Sequence, residues 1–239
     1  MTQSGPGDGP QLVVPDPVER AGLLAYLGRL IALDDRGAAR LQAAATVLGV
    51  WGGPPLDVVT LRPVALGTSP PAALDITVSA QRLLERVRAA TPDGTIQLPP
   101  AIPGPAWAGL LPPRAGWSQL AEVPAAAVFD AVRVGVEAFK RRVDLLAEGD
   151  RSQPALEAVA REIWSRPVVA GVALRAAHAA ELTGMLSPQG EVVVYASGPW
   201  LRLACPGGSV ALRSDGGTGL GLDLSVWSLL GPATPTSDT

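Results

Sequence analysis

Cysteine and histidine occur once each in this chain of 239 residues, at Cys205 and His178, and together they are the sharpest reactive pair it offers. A thiolate nucleophile needs a base to take its proton, and an imidazole on a neighbouring element can serve. Glu181, three residues after His178, is spaced to orient that ring on a helix. Such a set, with Cys205, His178 and Glu181 as the candidate catalytic residues, would make a hydrolase or transferase. The residues around it point elsewhere. His178 lies four positions after Leu174 and four before Leu182, so on a helix it shares their apolar stripe and faces inward. Cys205 ends the run Leu201-Arg202-Leu203-Ala204-Cys205 and alternates onto the leucine face of a strand. The expectation is a structural histidine with one ring nitrogen bonded, and a cysteine behaving as a small apolar residue. With one Cys and one His, a zinc site would have to find two further ligands among carboxylates, and no metal or cofactor is expected.

Other chemical signals are weaker. The glycine-rich run at 215–221 lacks the Gly-Lys-Ser/Thr of a phosphate loop, Lys140 being the only lysine, and is expected to link antiparallel strands. Lys140-Arg141-Arg142 is the only compact basic run, and acidic residues at 144, 148, 157 and 162 follow it closely, so nucleic-acid binding is not expected. The tryptophans at 51, 107, 117, 164, 200 and 227 are scattered and read as packing residues or loop anchors. Pro100-Ala101-Ile102-Pro103 matches a loose proline-rich ligand pattern but lacks a nearby arginine, and reads as a connection.

Composition bounds the class. Apolar residues make up 47% of the chain, ample for a packed core, while 27 glycines and 24 prolines call for many turns. A net charge of −3 gives no overall attraction to phosphate or anionic lipid. A single cysteine forbids an internal disulfide, and the first ten residues lack the basic start and apolar run of a secretion signal, so the cytoplasm is the expected compartment. The longest uncharged stretch, 94–113, is broken by prolines, and no membrane insertion is expected.

The elements follow from caps and periodicity. Asp16-Pro17-Val18-Glu19 opens a helix to Leu33, with Leu23, Leu24, Leu27, Leu30 and Ile31 as its stripe. Residues 39–66 split at Gly52-Gly53-Pro54-Pro55 into two strand-like runs. Residues 75–78 read as a strand that Ser79 caps into a helix reaching about Thr91. Seven prolines between 92 and 113 predict an extended connection. Three helices follow, at 124–148, 154–164 and 172–186, and then four strands: EVVVYA, WLRLAC, SVALRS and LDLSVWSLL.

These readings give an α+β fold: antiparallel sheet or sheets with helices segregated to one side, three successive helices in the second half, and a C-terminal β-meander. Residues 14–231 are expected to form one domain, open to division into two sub-domains at 92–113, with disordered tails at 1–13 and 232–239. No internal repeat stands out.

LPPRAGW (111–117), EIWSRP (162–167), LRAAHAAELTGML (174–186) and SGPWLRL (197–203) resemble stretches of uncharacterised proteins of GC-rich actinobacteria. The resemblance implies no activity, cofactor or site residue. The leading functional expectation is a non-catalytic cytoplasmic protein acting through protein contacts, with self-association as its natural version. Two alternatives stand beside it: the Cys205–His178 enzyme, and a small-ligand binder with an apolar cleft along 92–113.

Overall fold

A computed structural model describes residues 10–70 and 73–214. The N-terminal segment, expected in a tail, contributes a strand: β1 (Gln11–Val13) pairs antiparallel with β6 (Thr95–Gln97). Helix α1 (Pro17–Leu33) begins as its sequence predicts, with the Asp16 side chain accepting from the Val18 backbone N–H at 2.8 Å. It buries Leu23, Tyr26, Leu27, Leu30 and Leu33.

The region from 38 to 65 holds three strands where two runs are legible in the sequence: β2 (Ala38–Ala44), β3 (Val47–Gly52) and β4 (Val59–Ala65). The first run is itself a hairpin. Its turn passes through Ala45 at φ 50°, a position where Gly or Asn is usual, so no turn residue advertises it. Strand β5 (Asp75–Ser79) leads into α2 (Ala80–Arg88), whose first turn is capped by the Ser79 hydroxyl. After the proline-rich connection come β7 (Ser118–Pro124), α3 (Ala125–Asp144) and α4 (Gln153–Trp164). A small hairpin, β8 (Pro167–Val169) and β9 (Val172–Ala173), then precedes α5 (Leu174–Leu182). This shortens the helix expected at 172–186, because Ala170 and Gly171 at positive φ turn the chain before it and Gly184 at φ 75° ends it. Strands β10 (Glu191–Ser197), β11 (Trp200–Cys205) and β12 (Gly208–Arg213) form the expected meander. The fourth expected strand and the C-terminal tail lie outside the described residues.

Among the described residues, eight strands make one antiparallel sheet in the order β5-β2-β3-β4-β12-β11-β10-β7, so the two halves share it through a β4–β12 seam. An approximate two-fold relates them. Each half carries a three-stranded meander entered from a helix (α1 or α5) and flanked by an edge strand that leads into a second helix (α2 or α3). In the first half the edge strand follows the meander and in the second it precedes it, with α4 and the small hairpin as additions. Leu41, Val50 and Val64 from one half of the sheet, and Val210, Leu203 and Val194 from the other, join residues of all five helices in one core. One ion pair and one side-chain hydrogen bond also cross between the halves: Arg175 on α5 lies 3.8 Å from Asp57, and Arg62 on β4, 3.6 Å from Glu19 in its own half, donates to the Gly207 carbonyl. Burial pushes the Asp57 carboxyl up, and Arg175 pulls it partly back. No helix among the described residues is long and apolar enough to cross a membrane.

Candidate interaction surface

Of the three residues singled out for catalysis, His178 and Glu181 meet on α5, and Cys205 lies on β11. His178 is 4% exposed, stacks on Trp164 at 4.6 Å and 8°, and shares a 3.2 Å hydrogen bond between Nδ1 and Glu181 Oε2. Cys205 lies at the end of β11, packed against the main core. Burial pushes its thiol up to about 12, so at neutral pH the group stays protonated and is a poor nucleophile. The His178–Glu181 contact leads to a comparison of two variants. His178→Gln keeps a donor for the carboxylate and should cost less stability than His178→Leu, which strands it. The difference should fall toward the lower end of about 1–3 kcal/mol, since Glu181 is partly solvated. Thermal melts at neutral pH check this, and two variants that both melt like the parent would exclude a structural histidine.

A different set of side chains converges on the sheet face opposite the helices. Strand alternation that sends Val50, Leu203 and Val210 to the core sends Trp51, Arg202 and Ala211 outward. The registers then align Tyr195, Arg202, Ala211 and Val59 in one cross-strand row, with Trp200 beside it opposite Arg213. Val59, Trp200 and Ala211 form a second small core covered by Trp51, Trp107 and Trp117. Four of the six tryptophans therefore meet here, while Trp164 belongs to the helical core and Trp227 lies outside the described residues.

Two of the four arrive on the proline-rich connection. Edge strands β5 and β7 are consecutive strands of this sheet in sequence but stand at its opposite edges, so the chain between them must cross its full width. Seven inter-strand spacings span about 34 Å, which an extended chain rising about 3.1 Å per residue covers within 98–117. The crossing is pinned along its length. The Ile102 N–H donates to the Thr77 carbonyl at 2.8 Å, and Arg40 donates to the Ala108 carbonyl while forking onto Asp75 at 2.8 and 2.9 Å. That fork holds the Asp75 carboxyl below its usual range. Trp107 lies against Gly53, where a Cβ would stand 2.5 Å from the indole nitrogen, so only glycine admits the ring. Farther along, the Trp117 indole N–H donates to the Pro113 carbonyl at 2.8 Å, and its ring covers the Arg202 guanidinium at 4.3 Å. The Tyr195 ring lies 4.9 Å from the same guanidinium.

The sequence did not announce this surface, because its members come from five strands and a connection. Period-2 alternation was the available signal, and it becomes legible only once the register across both halves is known. An open groove of about 600 Å³ also lies where α2 faces Pro99 and Pro100, lined by Arg82, Glu85 and Arg86 among others. Its charged rim differs from the apolar cleft expected along the connection. Among the described residues no group of three or more His, Cys, Asp or Glu is placed to hold a metal ion.

Comparison with known proteins divides the chain at the same connection. Residues 8–109 match the family model described as a domain of unknown function (DUF8010), and residues 112–217 match a second domain of unknown function (DUF8185), each covering less than half of the chain. No curated protein matches the sequence. Among solved structures, a sliding clamp (DNA polymerase III subunit beta) from Bartonella birtlesii bound to griselimycin is similar over 88% of this chain and 66% of its own, at 15% identity and a TM-score of 0.52. The DNA polymerase III subunit beta from Borrelia burgdorferi, in complex with a natural product, is similar over 86% of this chain and 64% of its own, at 8% identity and the same TM-score. The chain thus spans slightly less than two thirds of the length of these clamps, and at such identities the likeness shows the fold alone: an α+β chain of sliding-clamp type.

Proposed function

We propose that this protein is a non-catalytic cytoplasmic scaffold that acts through protein contacts, with the outer face of the eight-stranded sheet as its contact surface and self-association as the simplest form. The gathering of four tryptophans, Tyr195 and Arg202 on one face carries the reading. Trp, Tyr and Arg dominate the energetics of protein interfaces because they bury much area with few rotors and still offer a polar handle. The likeness of fold to a polymerase subunit, a protein that works within an assembly, supports the same reading.

Leu61 provides the test. It is half-buried on β4, opposite Trp51 and Ser209 in register, so an outward arginine there alters the surface without entering the helical core. The parent should sediment with a concentration-dependent mass at micromolar levels, or recover a protein from native lysate that Leu61→Arg does not. A strict monomer whose recovered proteins are the same as those of a folded Leu61→Arg variant would overturn the proposal.

A further inference from the structure

We infer that the groove between α2 and the proline-rich connection is the docking site of this chain's own segment 1–9, with Asp8 held between Arg82 and Arg86. The chain arrives there. β1 and β6 pair in the register Gln11↔Gln97, Leu12↔Ile96 and Val13↔Thr95, and one step farther the Leu98 N–H donates to the Pro10 carbonyl at 2.9 Å. Continued by two residues, the same register brings Gly9 and Asp8 alongside Pro99 and Pro100, the two prolines that line the groove. Strand alternation puts Asp8 on the face of Leu12, which is buried in the same core as Leu83, Leu84 and Val87 of α2. The backbone cannot hold the segment there unaided, because Pro99 and Pro100 have no N–H with which to extend the ladder. The anchor has to come from a side chain.

Arg82 and Arg86 receive that anchor. They stand four residues apart on α2, which makes their side chains neighbours, and both are exposed along the groove. Among the described residues neither has an ion-pair partner, and Glu85 beside them accepts from Gln81 at 3.3 Å instead. Two like charges at this spacing repel, and an anion placed between them removes that cost. Asp8 is the only charged side chain in 1–9, and it stands two residues before the last bond of the ladder. So short a tether makes it the anion of highest local concentration at the groove, ahead of a second copy or a separate acidic protein.

NMR of the whole chain supplies two readouts. The backbone amides of Asp8 and Gly9 should show heteronuclear NOE values close to those of β1, and these should drop to free-peptide values in Asp8→Asn and in the double variant Arg82→Gln/Arg86→Gln. The Asp8 carboxyl should titrate about one pH unit lower in the parent than in the double variant. Both arginines lie outside the core, and Asp8→Asn alters no described residue, so neither comparison hangs on a variant that fails to fold. Free-peptide NOE values in the parent, or an Asp8 carboxyl that titrates alike in parent and double variant, overturn the inference. Ordering that disappears on about tenfold dilution would give the groove to a second copy and overturns it as well, since a tethered segment keeps its local concentration. If the two amides are mobile while a blocked peptide, Ac-Ala-Asp-Ala-NH2, shifts the Arg82 and Arg86 resonances, the groove belongs to a separate acidic partner and the docking of segment 1–9 is refuted.

Discussion

Trp164→Ala is expected to destabilise the protein by about 3–5 kcal/mol, the range for emptying a large aromatic site in a core that cannot collapse around it. Trp164 ends α4 at 2% exposure, stacks on His178 of α5, and meets Phe139 of α3 at 6.1 Å and 41°. Gly135 on α3 faces the same ring, and a Cβ there would lie 3.6 Å from it. One side chain thus fills the space where three helices converge. Trp164→Phe keeps an aromatic face toward His178 and should lose clearly less. Urea unfolding of the two variants measures both, and a loss under about 1 kcal/mol for the alanine would show that the three-helix junction repacks freely.

The second large effect is expected at the seam between the halves. Gly208 opens β12 at φ 152°, and a Cβ there would stand 2.5 Å from the Leu61 backbone carbonyl oxygen and 3.1 Å from Met185 Sδ. The methionine can swing aside, but the carbonyl belongs to the β4 ladder, in which Leu61 faces Ser209. Gly208→Ala must therefore separate the two strands or strain them, at a cost of the order of 3 kcal/mol. Hydrogen exchange locates the damage: amides of β4 and β12 should lose protection while those of the β2–β3 hairpin keep theirs. A variant that melts and exchanges like the parent would mean that the seam has slack that the close approach of Gly208 to Leu61 does not suggest.

What the sequence disclosed, and what it hid, divides along physical lines. Asp16 and Ser79 are caps whose side chains bond backbone N–H groups within a few residues, so the starts of α1 and α2 were legible. The 3.6-residue stripe of Val128, Val132 and Gly135 likewise revealed α3. Strand β7 was missed because it is an edge: most of its residues are exposed, and no alternating apolar run marks it. The β2–β3 turn was missed because Ala45 adopts a conformation its type rarely reports. The repeat escaped notice because its units are permuted, which removes any fixed sequence period. His178 could be read as inward from one helix alone, whereas the tryptophan surface depends on pairings between residues as distant as Leu61 and Ser209.

That separation also bears on how the chain reaches its native state. Within each half the ladder closes over short distances: β2 with β3, β3 with β4, β10 with β11, β11 with β12. The β4–β12 pairing joins residues about 150 positions apart and gains nothing until both meanders exist. It is therefore a late event, formed after the barrier set by the local hairpins. Lesions in it should act mainly by hastening unfolding and leave the folding rate nearly untouched. The two-fold arrangement thus ties the protein's lifetime in the folded state to its least local ladder.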